Sequence, residues 1–76
     1  MRASELQIEQ SAVITAITLP KEQQLRLFQL GIQEGTILQL VKRAPLHDPL
    51  LFQVQDSWIA IRCSDARNII VERIVP

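Results

Sequence analysis

The sequence predicts a mainly β fold, in which about five short strands close into a small barrel, with one helix after the first strand and a single helical turn before the last. Five segments carry the alternating or β-branched pattern typical of strands, and one segment between a proline and a glycine has helical spacing. A chain of 76 residues supports one core of modest size. Because a small sheet would leave long apolar edges unpaired in water, closure into a barrel is favoured.

The N-terminal residues 1–10 are predicted to form a loosely held arm that precedes the domain at residues 11–76. The arm is mostly polar, with Leu6 and Ile8 as its only candidates for packing, and a short edge strand is the only regular element expected of it. The first strand is predicted at residues 11–18, because this segment is rich in β-branched residues and contains neither Gly nor Pro.

A helix is predicted at residues 20–30. Pro20 suits its first turn, because proline has a fixed φ and lacks the N–H that a first helical residue leaves unpaired. Leu25, Phe28 and Ile32 recur at helical spacing. They are therefore expected to be the face that packs on the sheet.

Both glycines of the chain lie between this helix and the second strand. Gly31 directly follows the helical pattern, which predicts a left-handed residue at the helix end, with Ile32 folded back onto Leu27. Gly35 is expected to reverse the chain a second time. Both are assigned a structural function, which is to set the angle between the helix and the strand.

Four further strands are predicted, at residues 36–44, 50–55, 58–63 and 69–74. Two prolines mark residues 45–49 as a loop, because proline cannot donate to a sheet ladder. Asp56 and Ser57 are expected to form a tight turn, and Ser64 to cap a helical turn at residues 64–68. The side chains expected to face the core are Leu38, Leu40, Ala44, Leu50, Phe52, Val54, Ile59, Ile61, Cys63, Ile69 and Val71.

Composition and charge disfavour several classes of function. Eight Lys or Arg residues balance eight Asp or Glu residues, whereas nucleic-acid binders usually have a basic excess. No apolar run approaches the roughly 20 residues of a membrane helix, and residues 1–10 lack the apolar segment of a secretory signal. No triad or cofactor fingerprint is present. We therefore expect a cytoplasmic protein that is not membrane-embedded, has no cofactor and is not an enzyme.

His47, Asp48 and Cys63 are the residues from which a metal site could be built. Metals need three or four ligands of compatible geometry, and the chain has no Cys-x-x-Cys, His-x-x-x-His or carboxylate cluster. The favoured interpretation is a solvated turn in which Asp48 accepts a hydrogen bond from a backbone N–H, with Cys63 as a buried structural thiol. No metal ligand is assigned, and metal binding or sensing through these residues is kept as the alternative function.

Three motifs, in order, resemble the FeoA family. They are LFQLGIQEGT at residues 27–36, RAPLHDP at residues 43–49, and IAIR at residues 59–62 followed by Ala66, Ile69 and Val71. The family commonly has a glycine before the Asp-Pro of the second motif, where this chain has His47. A left-handed backbone there would cost roughly 1 kcal/mol or more.

The resemblance implies a small cytoplasmic protein with an SH3-like β-barrel that assists bacterial ferrous iron transport. Its implied partner is the cytosolic part of the FeoB-type membrane GTPase transporter, and self-association through edge strands is left open.

Trp58 has the opposite parity to Ile59 and Ile61, so it either covers one end of the barrel or contacts a partner. The predicted docking surface comprises Arg43, Leu46, His47, Asp48, Trp58 and Arg62.

Overall fold

Five antiparallel strands form one sheet in the computed structural model, which describes residues 1–75. The elements in chain order are a 3₁₀ turn at Ala3–Glu5, β1 at Ser11–Ile17, α1 at Lys21–Gln29, β2 at Ile37–Arg43, a second turn at Pro45–His47, β3 at Leu50–Val54, β4 at Ser57–Ile61, α2 at Cys63–Ala66 and β5 at Ile69–Arg73. The strand order is β4-β3-β2-β1-β5. The molecule measures 29 × 28 × 24 Å along its principal axes, and all five strands contribute buried residues to one hydrophobic core. The predicted fold class is confirmed.

Alternation along the strands determines most of the core. All but two of the side chains predicted to face inward are buried. The exceptions are Ala44 and Cys63, which are half-buried. A bulge between Leu40 and Lys42 adds one residue to β2 and reverses the parity beyond it, so Ala44 turns outward. Cys63 is the first residue of α2 and packs against the edge of the core.

The turn between β3 and β4 lies one residue earlier than predicted. Val54 pairs with Ser57, so the two loop residues are Gln55 and Asp56, and Ser57 already belongs to β4. Gln55 has a φ of 54°. A left-handed first loop residue is common in two-residue hairpins, because such turns match the twist of the strands.

The end of α1 has the predicted geometry. Gly31 has a φ of 90°. Its N–H donates to the carbonyl oxygen of Phe28 (2.9 Å), and the N–H of Ile32 donates to the carbonyl oxygen of Leu27 (2.9 Å). This pair of bonds is the Schellman arrangement, in which the residue after the glycine folds back over the last helical turn. Leu27 and Ile32 are both buried in the core, and Gly35 also has a φ of 90°.

The prediction for the buried face of α1 is right for Ile32 and wrong for Leu25 and Phe28. Leu25 and Phe28 are 58% and 56% exposed, and Leu27 is the buried residue of the helix. At about 100° per residue, Leu27 lies on nearly the opposite side of the helix from Leu25. Periodicity could not select the correct face, because apolar residues occur on several sides of this helix. The glycine cap decides it by pulling Leu27 and Ile32 inward.

The expectation of a loosely held N-terminal arm is also wrong. Ala3 and Leu6 are fully buried, while Ile8 is 55% exposed. The carbonyl oxygen of Met1 accepts a hydrogen bond from the N–H of Val71 (2.7 Å), and Arg2 bridges to β5 as the only trace of the predicted edge strand. The arm therefore covers the outer edge of β5 and completes the core.

None of the helices within residues 1–75 has the length and apolar character needed to cross a membrane.

Candidate functional site

The loop between β2 and β3 is closed at its base and presents its tip to solvent. The N–H of Ala44 donates to the carbonyl oxygen of Pro49 (3.0 Å), and the N–H of His47 donates back to that of Ala44 (2.8 Å). Residues 45–49 are all exposed. The two prolines at the ends of this segment have no N–H to contribute, so the donors of these backbone bonds are Ala44 and His47, and Pro49 takes part only as an acceptor.

A second set of contacts fixes this loop to the start of α2. The carboxylate of Asp48 accepts a hydrogen bond from the N–H of Cys63 (3.1 Å), and the Cys63 thiol donates to the carbonyl oxygen of His47 (3.0 Å). The prediction that Asp48 caps a backbone N–H is confirmed, whereas the prediction of Ser64 as the helix cap is wrong. Sequence could not identify the capped group, because the two residues lie 15 positions apart.

The tip of the loop carries two successive left-handed residues that are not glycine. Leu46 has a φ of 67° and His47 a φ of 65°. The left-handed backbone considered for His47 is therefore present, and it extends to a residue for which the sequence contained no signal. Leu46 is also 95% exposed. The closed base and the contacts with α2 hold the loop in a conformation that these two residues would otherwise disfavour.

Replacing His47 with Gly is expected to stabilise the protein by about 0.5–1 kcal/mol. Relief of the left-handed backbone contributes about 1–2 kcal/mol, which exceeds the roughly 0.4–1 kcal/mol that the greater unfolded-state entropy of glycine costs. The free energy of unfolding in urea measures the change. Glu72→Gly in β5 is the control, since Glu72 is exposed and its backbone is that of a strand. A loss of stability in His47→Gly equal to that in the control would contradict the argument.

Arg43 is a second predicted docking residue, after Asp48, whose side chain is already engaged within the fold. Its guanidinium donates to the carbonyl oxygens of Leu6 (2.8 Å) and Ser4 (3.5 Å). The bulge in β2 explains this, because it pairs Arg43 with the inward-facing Leu50 and so turns the side chain toward the N-terminal arm. Two carbonyl groups of the arm are thereby satisfied by one cation.

Trp58 and Arg62 lie on the outer side of β4, opposite in parity to Ile59 and Ile61. Trp58 is 64% exposed, so of the two alternatives for this residue the structure supports the exposed contact rather than the lid. Arg62 is exposed at the end of β4, roughly 13 Å from Trp58 along the strand. It lies beside Cys63 and hence beside the loop that Asp48 fastens.

A shallow apolar recess connects these features, and sequence reasoning did not identify it. It has a volume of about 210 Å³ and is lined by Lys42, Ala44, Pro45, Pro49, Leu51 and Ala60. Leu51 pairs with Ala60, which is two residues from Trp58 on the same outer face. The recess therefore lies between the loop and Trp58. The only features of the sequence that could have indicated this recess are the outward-facing apolar residues near the two prolines.

The three residues of the alternative metal site do come together, but through groups already occupied in hydrogen bonds. Asp48 contacts the backbone of Cys63, and the thiol of Cys63 contacts the backbone of His47. Across residues 1–75, no group of three or more His, Cys, Asp or Glu side chains is placed so that it could hold a metal ion.

Comparison with known proteins gives consistent results. The FeoA domain model matches residues 1–73. A Fe(2+) transport protein A/Fe(2+) transporter FeoB fusion protein of Porphyromonas gingivalis is 34% identical over 74 residues. These cover 97% of this chain but only 9% of the fusion protein.

Two solved structures extend the comparison to the fold. The FeoA protein of Chlorobium tepidum is 28% identical with a TM-score of 0.93, over 99% of this chain and 71% of the other. The FeoA of Stenotrophomonas maltophilia, described as an SH3 domain protein complexed with zinc, is 32% identical with a TM-score of 0.78, over 95% of this chain and 89% of the other. The SH3-like fold is thus confirmed. Since the family model spans nearly all of its length, the chain belongs to the FeoA domain family.

Proposed function

We propose that this chain is a non-enzymatic, cytoplasmic accessory protein of bacterial ferrous iron transport that docks on the cytosolic part of a FeoB-type GTPase transporter. The fusion protein of P. gingivalis supports this partner, because it carries a part similar to this chain and a Fe(2+) transporter in one polypeptide. Two parts of one polypeptide meet at a high effective concentration. A direct contact between the two corresponding parts is therefore favoured here too.

The conformation of Leu46 is the main observation that supports the proposed location of the docking surface. Its side chain is 95% exposed on a left-handed backbone, at the tip of a loop anchored at both ends. Such a residue contributes almost no packing to its own chain, and strained residues concentrate at functional sites. The apolar recess begins at the two prolines of the loop, and Trp58 lies beyond it on the outer face of β4. Exposed aromatic residues are enriched in interface hot spots.

The proposed docking surface is accordingly Leu46 with His47 and Asp48 in the loop, flanked by Trp58 and Arg62. Asp48 and His47 act mainly by holding the loop in position through the contacts with Cys63. Arg43 does not contact the partner in this proposal; its side chain holds the end of β2 against the N-terminal arm.

Replacing Leu46 with Ser is expected to weaken binding to the cytosolic part of the transporter by about 10- to 100-fold. Burial of a leucine side chain contributes about 1.5–3 kcal/mol, and each 1.4 kcal/mol is a factor of ten in affinity. Stability is expected to stay within about 0.5 kcal/mol, because the side chain is in water in the free protein. Calorimetric titration of the transporter's cytosolic domain gives the affinity, and urea unfolding gives the stability.

The matched control is Ile37→Ser. Ile37 is also an exposed aliphatic residue, at 57%, but it lies at the other end of β2, about 20 Å from the loop. Equal loss of affinity in the two variants would reject the loop as the docking surface. Absence of any binding to the transporter, together with unimpaired ferrous iron uptake in a deletion strain, would reject the function itself.

Metal binding or sensing is the second candidate, favoured by the proximity of His47, Asp48 and Cys63 and by the zinc complex of the S. maltophilia relative. To bind a metal as the thiolate, Cys63 would have to give up its hydrogen bond to His47, whereas Asp48 has a second carboxylate oxygen that is free of the bond to Cys63. Anaerobic calorimetry with ferrous, manganous and zinc ions separates the two candidates. Tight stoichiometric binding that is lost in His47→Ala would favour the metal site over the docking module.

A further inference from the structure

The two outer strands of the sheet, β5 and β4, differ in whether their outer edges are covered. The outer edge of β5 is covered by the N-terminal arm, through the bond from the N–H of Val71 to Met1 and the bridge between Arg2 and Ile70. β4 pairs with β3 on one side, and no strand within residues 1–75 pairs with its other side. The edge of β4 is thus the one at which a further strand could add to this sheet.

The register of β4 identifies the backbone groups at this open edge. Val54 and Ser57 close a two-residue hairpin, so they form a hydrogen-bonded pair. Because such pairs alternate along an antiparallel ladder, Ile59 and Ile61 also direct their N–H and C=O groups toward β3. The N–H and C=O groups of Trp58 and Ala60 therefore point away from the sheet.

β4 also lacks the features that normally protect an edge strand. Natural edges carry Lys, Pro or a bulge, which prevent pairing with another chain. The five residues Ser57–Ile61 are all uncharged and include no proline. Their register with β3 is continuous, without the bulges that interrupt β1 and β2. This edge is open, is not interrupted by a bulge and carries an exposed tryptophan.

We propose that the occupant of this edge is a second copy of the chain, whose β4 pairs antiparallel to the first about a twofold axis at Ile59. In this register Trp58 of each copy lies opposite Ala60 of the other, so a large side chain meets a small one. Each of these two pairs exchanges both backbone hydrogen bonds, because their outward groups face each other. A symmetric contact of this kind closes as a dimer and does not propagate into a fibre.

Charge complementarity selects this register. Pairing about Ile59 places Asp56 of one copy opposite Arg62 of the other, at both ends of the shared ladder, and both residues are exposed. Pairing about Trp58 would instead set Trp58 against Trp58, and pairing about Ala60 would set Arg62 against Trp58. Only the register about Ile59 puts opposite charges across the ladder, an arrangement that stabilises cross-strand pairs.

The dimer is tested first by its dependence on concentration and on the edge. Sedimentation equilibrium measures the association of the full chain, and Trp58, the only tryptophan, reports it independently through a blue shift of its emission as the concentration rises. Ala60→Lys is expected to weaken dimerisation by at least about tenfold, since the lysine would face Trp58 and introduce an edge charge. Ile37→Lys is the control, because Ile37 is also exposed but lies on the inner strand β2, two strands away from β4.

A charge exchange tests the register. Asp56→Arg and Arg62→Asp are each expected to weaken dimerisation by about tenfold, because symmetry places two like-charge pairs in each variant. The double variant is expected to return to within about threefold of the original. Leu46→Ser should leave dimerisation unchanged, because Leu46 belongs to the proposed docking surface and not to this contact, whereas Trp58 and Arg62 belong to both. A chain that stays monomeric to millimolar concentration, an Ala60→Lys variant that dimerises normally, or a double variant as weak as the single ones would overturn the proposal.

Discussion

Replacing Leu6 with Ala is expected to lower the free energy of unfolding by about 3 kcal/mol. Leu6 is fully buried in the main core, and truncation of a buried leucine costs about 2–5 kcal/mol. The guanidinium of Arg43 holds the carbonyl of the same residue, so the backbone cannot easily move to fill the space left behind. For a domain of this size, with a stability of roughly 4–11 kcal/mol, the loss is large.

The measurement is urea unfolding of the full chain, with Ile8→Ala as the matched control. Both residues belong to the N-terminal arm and both are aliphatic, but Ile8 is 55% exposed and is expected to lose less than about 1 kcal/mol. If the two variants were equally stable, the arm would be peripheral to the core and the burial of Leu6 would have no thermodynamic consequence.

The contrast between these two residues illustrates the limit of prediction from the sequence. Within a strand, the side-chain period of two is a local property, so the inward-facing residues of β3 and β5 could be assigned correctly. In the arm no such period exists. The burial of Leu6 depends on contacts with β2 and β5, which lie more than 30 residues away along the chain.

Local irregularities in the backbone account for two further errors. One bulge in β2 exchanged the environments of Arg43 and Ala44, turning the first toward the arm and the second toward the recess. Neither residue type signals a bulge. In α1, the choice between the side of Leu27 and that of Leu25 was made by the cap beyond the helix and not by the helical pattern.

The sequence marked the loop between β2 and β3 as a candidate docking surface, but it did not reveal how the loop is held in place. The loop could be marked by its two prolines, and the resemblance to the FeoA family singled out Leu46, His47 and Asp48. The left-handed backbone of Leu46 and the bond from Asp48 to the start of α2 are tertiary, since each requires β3 and β4 to bring the loop back to residue 63. These two features hold the exposed loop in one conformation, with Leu46 projecting into solvent.

Replacing Gly31 with Val is expected to destabilise the protein by about 2–3 kcal/mol. An added Cβ at Gly31 would meet no atom within 4 Å, so the cost arises from the backbone and not from a clash. At a φ of 90°, a β-branched residue is a strong conformational outlier, for which costs of about 1–3 kcal/mol are typical. Relaxation of this residue would also break the bond from Ile32 to Leu27 and release two buried side chains.

Gly31→Asn serves as the control for this substitution. Asparagine tolerates the left-handed region better than valine, so it is expected to lose only about 1 kcal/mol. Thermal and urea unfolding measure the stability of both variants, and binding to the transporter's cytosolic domain is measured at a temperature where each is folded. Because Gly31 sets the direction of the chain and contacts no partner in the proposed function, folded Gly31→Val should retain its affinity. A stable Gly31→Val variant that selectively lost binding would show instead that this turn belongs to the docking surface.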